Sequence, residues 1–462
     1  MLPINTLQAA CDSYRHWIDR ENSPYSDLAY RDTANRRDWL KQASLTALAA
    51  GSLWTSLAES LALANSKNNS NASGRPKSMI VLWMQGGPSQ LETFDPHPNG
   101  SIGGSTIAIN TSLKGLQIAN TLSQTAEVMH LGTLVRSMVS KEGDHERATY
   151  NMKTGWRPDP TLVHPAIGSV LCHQSPHNIE IPRHISILSD QWPSRGGYLG
   201  SQFDAFQIGD PKNPLPNLKS PIPASQFDQR VADLEILEKG FRKGRLKNLE
   251  TEKTLHTLST QRAIKMMSSD QIQAFDIDRE PASIRDPFGD TPFGRGCLAA
   301  VRLIEQGVTC VEIELSGWDT HIENHSLQSG RCAILDPALA SLIRLLEDRD
   351  LLDSTVVLCS GEFGRTPKIN IADGRDHWPV GFSSAIFGGP FRRGYVHGQT
   401  THELMPADQD PIAGVSKPVK IEDLHATILH GFGIDPAVES VTPIGRPLAV
   451  SQGSIVEELF EA

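Results

Sequence analysis

The 462-residue sequence reads as an α/β chain, with a central, mostly parallel sheet flanked by helices and carrying a helical insertion. Three features support this. Short apolar runs rich in β-branched residues, at 78–84, 131–138, 308–315 and 355–359, match strands buried on both faces. Segments of helical spacing alternate with these runs, as expected where parallel strands are joined by helical crossovers. Two of the runs end directly in polar, glycine-bearing motifs, and ligands of open α/β sheets bind beyond the carboxyl ends of strands.

In chain order, Arg36-Arg37-Asp38-Trp39-Leu40-Lys41 precedes a mostly apolar run at 43–64 that ends in Ala62-Leu63-Ala64, followed by a polar tract at 65–73. This pattern is that of a twin-arginine export signal with a small-residue cleavage site. Residues 1–74 are therefore expected to be leader and linker, and the mature protein periplasmic or otherwise extracytoplasmic. No other segment offers 18 apolar residues, so no membrane span is expected in the mature chain. The main domain then covers 75–462.

The run at 78–84 ends in Gln85-Gly86-Gly87-Pro88-Ser89, a first buried strand followed by a tight turn in which glycine permits close backbone approach. After the run at 131–138, residues 145–155 have helical spacing and stop at Gly155. Polar groups at 140–147 would then sit at a helix N-terminus, a natural place for an anion. Residues 205–225 are rich in proline and polar residues. At 226–270, Val231, Leu234, Leu237, Phe241 and Leu246 keep approximate helical spacing. With the loop-like stretch 281–295, this makes 205–295 an inserted excursion. A helix at 296–306 feeds the strand at 308, and helical patterns return at 335–347 and 421–432.

The formal charge of −10 argues against a nucleic-acid partner, which usually demands a basic stripe. Of six cysteines, Cys11 lies in the leader, and the remaining five show no paired spacing. No disulfide framework or zinc-thiolate site is therefore predicted. Cys310 and Cys359 fall in strand patterns and read as core.

Chemistry concentrates in Gly317-Trp318-Asp319-Thr320-His321, Gly361-Glu362-Phe363-Gly364-Arg365-Thr366-Pro367 and Gly374-Arg375-Asp376-His377-Trp378-Pro379. Asp319, His321, Glu362, Asp376 and His377 are the candidate metal ligands. Such a set, without thiolate, suits a divalent zinc, manganese, iron, magnesium or calcium ion. Asp319 and His321 share a side if extended, or else cap the next helix. Glu362 either ligates or pairs with Arg365. Asp376 and His377 would face opposite sides of a strand, so one joins directly while the other orients it or binds substrate. His145 is a candidate nucleophile, general acid or base, or ligand. Arg147, Lys141 and Arg365 are candidates to hold an anion. Trp318 and Trp378 either wall a pocket or pack. Ser89 has no base that can be named beside it.

These motifs, with Gly86-Gly87-Pro88-Ser89, Phe94-Asp95-Pro96 and Lys141-Glu142-Gly143-Asp144-His145, resemble in joint order the domain of unknown function 1501 family, over roughly residues 75–440. The resemblance implies a fold similar to alkaline phosphatases and sulfatases. It also implies a metal pocket acting on a phosphate or sulfate ester, of a small molecule or a polysaccharide. Against that pattern, Gln85 stands where an Asp is expected after the first strand. His145 stands at the nucleophile position of a sulfatase-like signature, and Phe363 where an imidazole ligand is expected. The rival expectation is a catalytically degenerate member of the fold that binds a ligand or partner.

Overall fold

A computed structural model describes residues 75–98, 100–242, 255–406 and 408–461. The expected leader lies outside the described residues. So does part of the helical excursion.

The sheet has nine strands: β1 (Ser78–Gln85), β2 (Gly132–Val139), β3 (His184–Ile187), β4 (Phe206–Ile208), β5 (Cys310–Ser316), β6 (Thr355–Ser360), β7 (Val380–Phe387), β8 (Tyr395–His397) and β9 (Val419–Lys420). Their order is β8-β2-β7-β6-β1-β5-β3-β4, with β9 also beside β2. β1 runs parallel to both β5 and β6. β7 alone is antiparallel to its neighbours, β2 and β6, so the expected mostly parallel sheet is present.

β1 shows why the fold is layered. Ile80, Leu82 and Met84 pack into one core, while Met79, Val81 and Trp83 pack into the other. That two-sided burial produces its unbroken apolar sequence. The first core is closed by α5 (Pro292–Glu305) and α6 (Asn324–Asp348). The second is closed by α1 (His145–Thr154), α2 (Ile167–Gln174) and α7 (Ile421–Gly431). The excursion carries α3 (Ala224–Arg242) and α4 (Leu255–Met267), whose residues are largely exposed.

Several expectations need correction. α5 begins at Pro292, inside the stretch read as loop, because the Thr291 hydroxyl accepts a hydrogen bond from Gly294 N (3.0 Å) and caps it. α6 begins at Asn324 rather than near 335; its first turns are polar and weakly patterned, and it contains Pro337. Strands β3, β4, β7, β8 and β9 were not expected. β3, β4, β8 and β9 are short, and β7 is broken by Gly381, Ser383 and Ser384 and has register shifts along β2. Among the described residues no helix is long and apolar enough to cross a membrane.

Candidate metal centre

Four chain segments meet at the carboxyl ends of β1, β2, β5 and β6. Gly86 (φ +117°) and Gly87 (φ +76°) turn the chain sharply after β1. A Cβ on Gly86 would lie 2.5 Å from the backbone nitrogen of Asp319, so glycine is what lets the loops after β1 and β5 touch. After β2, the Asp144 side chain accepts from Arg147 N (3.2 Å) and starts α1 with His145 in its first turn. A two-residue antiparallel ladder, His377 opposite Arg365 and Trp378 opposite Gly364, brings in the last motif.

Three imidazoles surround Asp319. His145 Nε2 lies 3.3 Å from Asp319 Oδ2, while His321 Nε2 (3.1 Å) and His377 Nε2 (3.3 Å) approach Oδ1. In each ring the other nitrogen faces an oxygen that can only accept. His145 Nδ1 donates to Glu362 Oε1 (2.8 Å), His321 Nδ1 to Asp376 Oδ1 (2.8 Å) and His377 Nδ1 to Gly143 O (2.8 Å). With Nδ1 protonated, each neutral ring presents its Nε2 lone pair inward, the arrangement that orients imidazoles for a metal. Phe363 packs against His145 and His377, with ring centroids 5.0 and 4.5 Å away, and walls the site.

Glu362 is wholly buried. Besides His145, its Oε1 accepts from Gly86 N (2.9 Å) and Gln85 Nε2 (3.2 Å). The Gln85 amide oxygen accepts from Trp83 Nε1 (2.6 Å), so Gln85 orients Glu362. Burial disfavours the charged His145 ring, but hydrogen bonds and charge from Asp319 and Glu362 raise its pKa to about 9. Burial likewise works against the Asp319 carboxylate, yet hydrogen bonds from His145, His377 and Arg365 hold its pKa far below the usual carboxylate range. The hydrogen bond from His321 lowers that of Asp376.

The structure thus brings together His145, Asp319, His321, Glu362, Arg365, Asp376 and His377. Arg147 is not among them. Two residues beyond His145 on a helix, it points to the other side and pairs with Glu142 (2.7 Å). Arg365 is fully buried, and four of its five N–H groups are engaged. They donate to Gly87 O, Arg375 O, Gly86 O and Asp319 Oδ1, the last at 2.6 Å. It is a positioning group for Asp319 and does not pair with Glu362. Nor do Asp319 and His321 cap α6, whose N-cap is Glu323. Ser89 is buried and donates to Glu92, which Arg375 also contacts, so its hydroxyl belongs to a structural network. Trp318 is fully buried and packs in the core. What the sequence did not reveal is the Gly143 carbonyl and the wall formed by Phe363, since neither carries a chemical signature of its own.

Among the described residues, His145, Asp319 and His377 offer ligand atoms that all lie within 4.8 Å of one another. Beyond its 3.3 Å approach to Asp319 Oδ2, buried His145 Nε2 has no hydrogen-bond partner, and buried Glu362 Oε2 has none. Two inward imidazoles and a carboxylate fit a borderline divalent ion.

No curated protein matches the chain. Solved structures with a similar trace include a sulfatase from Pseudoalteromonas sp. (12% identity, 87% of this chain and 79% of that one, TM-score 0.38). Another is Ps i-CgsB in complex with k-i-k-neocarrahexaose (10% identity, 78% and 72%, TM-score 0.38). A third is a protein in the alkaline phosphatase superfamily from Vibrio parahaemolyticus (12% identity, 78% and 67%, TM-score 0.35). These likenesses are too distant to bring any activity to this chain. The family described as "Protein of unknown function (DUF1501)" matches residues 76–460, nearly the whole described domain, and the chain belongs to that family.

Proposed function

We propose that this protein is an exported, metal-dependent hydrolase of phosphate or sulfate esters. The observation that carries the proposal is the convergence of three Nε2 atoms on Asp319 while each Nδ1 is held by an oxygen acceptor. His145, Asp319 and His377 would hold the ion. His321, kept in place by Asp376, stands beside them. When bound, a divalent ion supplies Lewis acidity toward an ester oxygen and makes water a stronger acid. Nitrogen-rich ligation favours zinc, manganese or iron over calcium and magnesium, which prefer oxygen.

The chain's own residues do the remaining work. Glu362 fixes the His145 tautomer, and Arg365 fixes Asp319 from beneath. Lys141, exposed at the end of β2 and with no ion pair among the described residues, is left to attract the anionic ester. Phe363 and the loops after the strands exclude water from one side.

One observation favours a second reading. The Arg365 guanidinium already neutralises Asp319, as expected of a retired site that binds ligand without metal. Metal content by mass spectrometry, with turnover on a panel of phosphate and sulfate esters, separates the two. The hydrolase reading expects one divalent ion per chain, with Asp319→Ala losing both metal and turnover while remaining folded. A wild-type protein that takes up no ion after incubation with zinc, manganese and iron, or an Asp319→Ala variant with unchanged turnover, would sink it.

A further inference from the structure

A cavity of about 620 Å³, within the range of small-molecule sites, is lined in part by chain neighbours of the metal centre. It is lined at one end by Val139, Ser140 and Lys141 of the β2 terminus together with Val380. The same short stretches carry the centre. Val139 pairs with Val380, Ser140 N donates to Pro379 O (2.8 Å), and His377 donates to Gly143 O. The cavity then follows the flank of α1 to Trp156, beyond the helix end. At 1.5 Å per residue, α1 from His145 to Thr154 spans roughly 14 Å.

The lining is amphiphilic. Trp156 is half-buried, its indole stacked on His164 at 4.6 Å and 5° between planes, and His164 is in turn held by the Tyr150 hydroxyl (2.8 Å). The ring is therefore braced on one face, a rigid platform for another flat, partly apolar group. Around it stand Asn151, Glu422, Arg446 and Gln452, which mix donors and acceptors. Lys141 and Lys420 also line it and make no ion pair among the described residues, whereas Arg157 is held by Glu142. A purely apolar ligand would strand these polar groups, and a bare inorganic anion would leave the aromatic platform and most of the volume unused. Sugar rings combine an apolar face with a rim of hydroxyls that both donate and accept.

We propose that this cavity is a glycan subsite, holding the saccharide part of a sulfated or phosphorylated oligosaccharide with its pyranose over Trp156 and its anionic ester toward Lys141 and the metal centre. The proposal deepens the ester-hydrolase reading and rests on it for the direction of the chain.

The test is binding, read separately from turnover. Metal-depleted and metal-loaded protein are applied to an array of sulfated, phosphorylated and neutral oligosaccharides, and the best ligands are titrated by calorimetry. Both forms are expected to retain sulfated or phosphorylated members. Trp156→Ala and, on another wall, Arg446→Ala should each weaken binding at least about tenfold with metal content and thermal melting preserved. Arg446 is exposed, so its variant keeps the test valid if Trp156→Ala folds poorly. Retention of no oligosaccharide, or equal retention by the wild type and a folded variant, overturns the proposal. Trp156-dependent binding without ester turnover would uphold the subsite and remove the hydrolase reading. Turnover of a small aryl sulfate or phosphate with no glycan bound would do the reverse.

Discussion

In the metal-free protein, the proton on His145 competes with the ion for Nε2. Its pKa of about 9 means that at pH 7 roughly one ring in a hundred is neutral, so apparent metal affinity should be about 100-fold below its high-pH limit. At pH 8 the deficit should be about tenfold, and above 9 the affinity should level off. Asp319 stays ionised throughout, because its pKa lies far below this range. Glu362→Gln removes one of the two carboxylates that hold the proton, so the pH at which affinity levels off should move down toward the ordinary value of about 6.5. The limiting affinity of that variant should also fall, by roughly 10- to 100-fold, because the ring loses the carboxylate that polarises it. The assay is titration of zinc or manganese against a fluorescent chelator from pH 6.5 to 9.5, with proton release measured calorimetrically in two buffers of different ionisation enthalpy. An affinity that does not change between pH 7 and 9, or a plateau at the same pH in Glu362→Gln, would refute the assignment of His145 as a ligand held by Glu362.

The same raised pKa bears on stability. A His whose pKa rises on folding contributes stability that is full below the unfolded value near 6.5 and lost as pH passes 9, so the metal-free protein should melt at falling temperature across that window. Glu362→Gln should flatten the trend. Lys153 and Glu312 form a buried ion pair at 2.7 Å, and Lys153→Met, which strands the carboxylate, should cost about 3–5 kcal/mol in urea denaturation. A cost below 1 kcal/mol would mean that water reaches the pair. Gly86→Ala forces a side chain against the Asp319 backbone at a positive φ and should reduce metal affinity at least tenfold, as measured by mass spectrometry after dialysis. Wild-type loading would show that the loops after β1 and β5 yield without cost.

Strands β1, β2, β5 and β6 were legible to within about two residues, because burial on both faces demands continuous apolar sequence. β7 was not, since its serines and glycine dilute that pattern, while its place is set by long-range pairing with β2 and β6. The site motifs were legible because glycine turns and acid-imidazole clusters are local features. The sense of each arginine was not. His145 and Arg147 lie two apart on a helix, so only one can face the centre, and capping by Asp144 sets which. Arg365 is consumed by the carbonyls of Gly86, Gly87 and Arg375, contacts that no spacing reveals.

By itself, then, the sequence determined that the protein has an α/β core with carboxylates and imidazoles at its strand ends, for periodicity and turn chemistry are written in neighbouring residues. Only the tertiary structure decided which of those groups meet. Glu362 reaches His145 across 217 positions because β7 pairs antiparallel with both β6 and β2, which sets the loops after those two strands at the same end of the sheet. Strand order is settled by the packing of whole layers, and a contact of that range leaves no mark on either residue's neighbours.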